Sequence, residues 1–304
     1  MIGTLLIVIL LGIIEGLTEF LPVSSTGHLL LAQRMLGIDL DHDPFWKMFA
    51  IFIQIGAIAA VVVSFRERIL DLLLHRRRSG GGGGRGNLLV DATPAAGGRG
   101  AALGSRRGIN ASPLLLVIVG TIPVLIVGYL AKDFVEKHLE KPVPIALALG
   151  IGGLIMLALE YVRPAPTTDT LEEMTLGQAA GIGLVQVLAA VFPGTSRSAA
   201  TIIGGLGVGL TRPVAAEFSF FLAIPSMGAA TGYSLLKHLK AHGNLPLDRW
   251  LLLAVGTLVS FLVAWLVIEL FMAYVRRRSF VPFALYRVGL AVVVLVLVMK
   301  GWLR

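Results

Sequence analysis

The sequence contains no cysteine, which excludes disulfides and thiolate metal sites and leaves the redox compartment open. Charge is scarce as well. Asp, Glu, Lys and Arg make up 14% of 304 residues, against about 25% in ordinary globular domains. Apolar residues take their place: 56% are hydrophobic and a further 36 positions are glycine, where soluble domains reach about 45–50% with glycine included. A soluble chain of this length has no core large enough to hide that much apolar surface. The same composition excludes disorder for most of the chain. An integral membrane protein is what remains.

The few charges are unevenly placed. Net charge is +8, and much of the excess lies in Arg76-Arg77-Arg78, Arg85, Arg99, Arg106 and Arg107, and in Arg276-Arg277-Arg278. In a membrane protein such clusters mark cytoplasmic loops. Residues 76–108 also hold the glycine run 80–84 and read as a flexible cytoplasmic insertion. With no aromatic residue there, a nucleic-acid partner is not expected. Met1 to Gly12 is apolar but lacks the basic flank of a signal peptide, and is read as part of the mature fold.

Five apolar runs are long enough to span a bilayer: Phe45–Phe65, Pro113–Ala131, Val143–Tyr161, Trp250–Ala273 and Pro282–Leu303. A sixth, Val214–Leu236, carries Glu217 near its start. Two further segments are apolar but broken, 1–36 at Leu21-Pro22-Val23-Ser24-Ser25-Thr26-Gly27 and 176–210 at Phe192-Pro193-Gly194-Thr195-Ser196-Arg197-Ser198. Each half is too short to span, and broken helices at membrane depth survive only where they line a protected cavity. They read as re-entrant hairpins. With both basic loops inside, both termini and the connections 132–142 and 237–249 face outward.

The two halves also match each other. Glu15 to Pro22 repeats as Gln186 to Pro193, which places Ser25 on Ser196, and Val119-Gly120-Thr121 repeats as Val255-Gly256-Thr257. Each half, 1–161 and 176–304, is then one broken hairpin followed by three spans. Three is odd, so the second copy is inserted upside down, the inverted-repeat plan of many transporters. The expected fold is an all-α integral membrane protein with six spans, two re-entrant hairpins and an inverted internal repeat.

Chemistry is expected where polar residues interrupt apolar helix. Glu15 and Glu19 are four apart and share a helix face. Side by side they repel, so one is protonated or a cation lies between them. Carboxylate-only ligation suits Mg²⁺ or Ca²⁺ rather than zinc. Ser24, Ser25 and Thr26 at a helix break suit phosphate, and His28, three residues beyond Ser25, is within reach to activate it. The second break supplies Ser196, Arg197, Ser198 and Thr201. The Arg197 fork suits phosphate or pairs with Glu15 or Glu19. Gln54, Glu217, Glu269 and Arg287 are secondary candidates. Arg287 either helps hold an anion or pairs with Glu217 or Glu269. A phosphorylated lipid hydrolase and a lipid transporter both remain open on these grounds.

The strings Glu15-Gly-Leu-Thr-Glu-Phe-Leu-Pro-Val-Ser-Ser-Thr-Gly-His28 and Pro193-Gly-Thr-Ser-Arg-Ser198 resemble the two signature motifs of the bacterial undecaprenyl-diphosphate phosphatases of the bacitracin-resistance type. The resemblance extends to Phe52-Ile-Gln-Ile-Gly-Ala57, Ala216-Glu-Phe-Ser-Phe220 and Phe280-Val-Pro-Phe-Ala-Leu-Tyr-Arg287. Two departures stand out: Ala199 where the family pattern has glycine, and the long insertion at 79–108. The resemblance implies hydrolysis of undecaprenyl diphosphate to undecaprenyl phosphate and inorganic phosphate. That reaction recycles the lipid carrier of peptidoglycan synthesis from the outer face of the bacterial cytoplasmic membrane. It also carries over Glu15 and Glu19 as holders of the divalent ion, and Ser196, Arg197 and Thr201 as diphosphate ligands. Ser25 is then the preferred nucleophile and His28 its base, with His28 as nucleophile and a metal-bound water as alternatives. Undecaprenyl diphosphate and membrane lipid are the expected partners, and a homodimer is left open.

Overall fold

The structure is a computed structural model that describes residues 2–38, 42–73 and 111–303. The whole stretch read as a flexible cytoplasmic insertion, 76–108, therefore lies outside the described residues. Among those described there are twelve α-helices, one 3-10 turn at Leu171–Glu173, and no strand beyond a single bridge between Thr168 and Leu210.

The first half opens with α1 (Ile2–Thr18) and α2 (Ser25–Met35), separated by the Pro22 break. Then come α3 (Pro44–Phe52), α4 (Gln54–Ser64), the short α5 (Arg66–Leu73), α6 (Pro113–His138) and α7 (Pro142–Val162). The second half runs α8 (Leu176–Val191), α9 (Arg197–Gly207), α10 (Arg212–His242), α11 (Leu247–Val275) and α12 (Val281–Met299). Helix starts follow local chemistry. Proline occupies the first turn of α3, α6, α7, α10 and α12, where its missing N–H costs nothing. Thr175 and Gln178 close a capping box on α8.

Six units are long and apolar enough to cross a membrane: α3 with α4 as Pro44–Ser64, and α6, α7, α10, α11 and α12. The chain is an all-α, multi-pass membrane protein. Two helices outrun their apolar cores. α6 continues to His138 and α10 to His242, so the connections expected at 132–142 and 237–249 are largely helical. Contacts between the two extensions join them: Lys132 Nζ donates to Tyr233 Oη at 2.5 Å and Lys237 pairs with Glu136 at 2.9 Å.

α10 is the innermost span, 61% buried over its apolar window against 17% for α6. Its Phe218, Phe220 and Phe221 join Phe271 and Phe280 in the main core. Around it α1 packs on α11, α8 on α6, and α7 on α12. Two of these seams are closed by facing glycines. A Cβ on Gly12 would lie 2.8 Å from the Gly256 carbonyl oxygen, and one on Gly183 would lie 2.5 Å from that of Gly120. With no hydrophobic drive between helices in lipid, such close backbone approach is what holds them.

Candidate active site

Both breaks end in the same local device. Ser24 caps α2 and Ser196 caps α9, each accepting from the third backbone N–H onward, Gly27 at 3.3 Å and Ala199 at 3.2 Å. Both serines have positive φ, 75° and 70°, a strained conformation for a residue with a Cβ that collects at functional turns. The capping serines are thus Ser24 and Ser196. The caps differ by one residue from the sequence register, which placed Ser25 on Ser196, because the second break is one residue longer between proline and cap. Ser25 and Arg197 therefore hold the same position, the first residue of a helix, in the two halves.

These two residues meet at Glu19. Ser25 Oγ donates to Glu19 Oε2, and Arg197 Nη2 donates to Glu19 Oε1 at 3.0 Å. The Arg197 fork is held from behind by α10, through Nη1 to the Ser219 carbonyl oxygen at 2.8 Å. Met227 Sδ lies 3.3 Å from Nη2, and the Phe20 ring faces the guanidinium at 5.7 Å. Thr201 reaches Ser219 Oγ at 2.7 Å and the Arg197 carbonyl oxygen at 2.9 Å. Ser198 Oγ donates to the Leu21 carbonyl oxygen at 2.9 Å and lies 3.0 Å from Ser196 Oγ. The second break is thus tied to the first. Thr26 is exposed in the opening turn of α2.

His28 is not where the sequence placed it. The hydrogen bond expected to Ser25 does not form. Nδ1 lies 2.7 Å from the Ser24 carbonyl oxygen, which only accepts, so that nitrogen carries the proton. Nε2 lies 2.6 Å from Tyr286 Oη, which then donates to it. One turn of helix carries the imidazole back over the strained cap rather than toward the Ser25 hydroxyl.

For Arg287 the ion-pair alternative does not form. The side chain pairs with neither Glu217 nor Glu269. Glu217 faces Arg68 at 3.4 Å, and Arg68 in turn reaches Glu172 at 2.6 Å. Arg287 instead is fully buried and donates only to backbone carbonyl oxygens. They belong to Pro22 and Gly194 at 3.3 Å, and to Ala148 and Leu149 at 3.4 Å. Gln54 begins α4, half-buried, and bonds none of the residues at the breaks.

Comparison with known proteins fits the two motifs. The profile described as "Bacitracin resistance protein BacA" matches residues 8–293. A protein of Koribacter versatilis named undecaprenyl-diphosphatase is 43% identical, the match covering 97% of this chain and 98% of that protein. One of Sphingopyxis alaskensis with the same name is also 43% identical, over 92% and 93%. A third, of Caldanaerobacter subterraneus, is 38% identical over 95% and 94%. The chain belongs to the BacA family.

In this BacA-family chain several buried polar atoms, those of Gln186 and Ser260 among them, have no hydrogen-bond partner, and two of the groups concerned are motif residues. Both carboxylate oxygens of Glu15, which is fully buried one turn before Glu19, have no hydrogen-bond partner, and neither does Arg197 Nε. Buried polar groups are rarely left so without a role or an absent ligand. An unsatisfied carboxylate next to another carboxylate fits a cation, and an unsatisfied guanidinium donor fits an anion. Among the described residues no cluster of three or more His, Cys, Asp or Glu is placed to hold a metal. Two carboxylates alone would leave a cation most of its ligands to take from water or phosphate oxygens, a donor set that fits Mg²⁺.

Sequence reasoning missed Ser219, Met227 and Tyr286. A lone hydroxyl among Phe218, Phe220 and Phe221 was a signal available for Ser219. Met227 and Tyr286 look like ordinary apolar and interfacial residues until the helices are packed.

Proposed function

We propose that this chain is an undecaprenyl-diphosphate phosphatase. It cleaves the terminal phosphate from undecaprenyl diphosphate, releasing undecaprenyl phosphate and inorganic phosphate. It thereby recycles the lipid carrier for cell-wall synthesis and confers bacitracin resistance, acting in the bacterial cytoplasmic membrane with its site open to the outer face. The relatives' shared name supports the substrate. The observation that carries the chemistry is the meeting of Ser25 and Arg197 on one carboxylate, Glu19.

In this reading Glu19, not His28, takes the proton as Ser25 Oγ attacks the terminal phosphorus. The bond from that phosphorus to the bridging oxygen breaks, and undecaprenyl phosphate leaves. Water then releases phosphate from the phosphoserine. Arg197 offers its unsatisfied Nε, and exchanges its hold on Glu19 for phosphate oxygens as substrate enters, so that positive charge sits where negative charge develops. The peptide N–H groups opening α2 and α9 face the same anion, with the Ser24, Thr26, Ser196, Ser198 and Thr201 hydroxyls around it. His28 keeps the strained Ser24 turn in place. A divalent cation, Mg²⁺ or Ca²⁺, would be held by Glu15 and Glu19 and would supply charge neutralisation to the diphosphate. The exchanged glycine seams, Gly12 on Gly256 and Gly183 on Gly120, support two hairpins of one inverted repeat, each seated in the other half.

Purified protein in detergent is expected to release phosphate from a prenyl diphosphate with Mg²⁺ or Ca²⁺. A single-turnover reaction with labelled terminal phosphate is expected to leave label on Ser25. A chain that binds the lipid but releases no phosphate with either ion would be a transporter instead.

A further inference from the structure

Arg287 is the largest side chain buried completely in the described protein, and none of its partners carries a charge. A buried guanidinium normally finds a carboxylate or a metal-like cluster of acceptors. Here the acceptors are carbonyl oxygens from three places. Pro22 belongs to the first break, Gly194 to the second, and Ala148 and Leu149 to α7. None of the four bonds is short, because one planar fork shared among four acceptors cannot optimise each. Only Arg has enough donors in a fixed plane to reach all of them. Gly152 on α7 makes the room, since a Cβ there would run into Nη2. The neighbouring Tyr286 completes the hold through His28, whose other nitrogen is on the Ser24 carbonyl oxygen.

We propose that Arg287 is a positioning residue that pins the two breaks to each other. With the pin in place, Ser25 from one half and Arg197 from the other arrive together at Glu19. Backbone at the breaks has no helical partners of its own, and both caps are strained, so neither turn holds its place alone. The bonds to Pro22 and Gly194 cross-link the turns through one rigid group. This inference rests on the catalytic reading of Ser25 and Arg197, but its geometric part is tested without turnover.

Two substitutions separate pinning from mere charge. Arg287→Met keeps volume and removes every donor. Gly152→Ala keeps the cation and displaces it from the carbonyls. Gly150→Ala is the control on the same helix, where a Cβ meets only Ala291 Cβ, at 3.3 Å. The absence of native cysteine allows spin labels at Thr26→Cys and Phe192→Cys, one beside each break, with distances read by pulsed electron resonance and kcat measured separately on unlabelled protein that keeps Thr26 and Phe192. In the folded, monodisperse fraction, Arg287→Met and Gly152→Ala are expected to broaden the label distance and to lower kcat about a hundredfold. KM should change far less, and Gly150→Ala should match the parent in both. Arg287→Lys should fall between, since an ammonium reaches fewer of the four oxygens. A narrow parental distance in both Arg287→Met and Gly152→Ala overturns the pin, as does parental kcat in both. Loss of kcat in Arg287→Met alone assigns the effect to charge and also overturns it. If the parent itself releases no phosphate, the catalytic reading fails while the label distances still decide the pin.

Discussion

Glu19 is contacted from both halves of the chain, by Ser25 six residues on and by Arg197 from the second break. The chemistry of the site depends on that sharing. Each carboxylate oxygen has one partner, so removing the negative charge disturbs nucleophile and anion ligand together. Glu19→Gln is expected to lower kcat about 10²- to 10⁴-fold, the range for losing a positioned base. His28→Gln is expected to cost only about fivefold to tenfold, the effect of one weakened hydrogen bond on the Ser24 turn. Steady-state phosphate release by the two variants checks this ordering, and a larger loss in His28→Gln would return the base role to the imidazole. Of the residues the motifs offered, Glu19, Ser25 and Arg197 come into contact, while His28 bonds the Ser24 carbonyl oxygen and Tyr286. The motifs did not say who bonds whom, because reach along a helix allows His28 to turn toward either Ser25 or the Ser24 carbonyl.

At the scale of the helix, the breaks and the seams have separate causes. Each break comes from a proline followed by a serine cap, which is local chemistry and was legible in the chain. The seams come from glycines, and glycine placement alone does not name a partner. Gly12 and Gly183 occupy matched positions in the two halves, and each faces a glycine of the opposite half. A methyl group on Gly183 has backbone in front of it rather than a side chain that can swing away. Gly183→Ala is therefore expected to destabilise the protein by about 1–3 kcal/mol, seen as a lower midpoint of thermal unfolding in detergent. Gly128→Ala, where a Cβ meets Ala190 Cβ at 3.6 Å, should leave the midpoint in place. Helix ends were less legible than helix centres. α6 and α10 outlast their apolar runs because the Lys132–Tyr233 and Glu136–Lys237 contacts between them require the extra turns.

Across the whole molecule, the six spans and the excess of arginine in two loops followed from composition. The basic segment is remote in sequence from both motifs. Deleting residues 79–108 is expected to leave phosphate release by the purified protein unchanged; a large loss of turnover would show that the insertion serves the site. The secondary candidates divided on packing alone. Glu217 went to a half-buried ion-pair network with Arg68 and Glu172, while Arg287 is fully buried against both breaks.

The sequence by itself determined that this chain is a helical membrane protein broken at two polar turns, and it named the residues that those turns carry. Bilayer thickness, helical period and proline geometry are local constraints that a linear chain expresses directly. The tertiary structure alone decided that Ser25 rests on Glu19, that Ser219 and Met227 seat Arg197, and that Arg287 bonds both breaks. Those contacts join residues up to 265 positions apart, and their selection depends on which buried donors are left over once the twelve described helices have packed around one another.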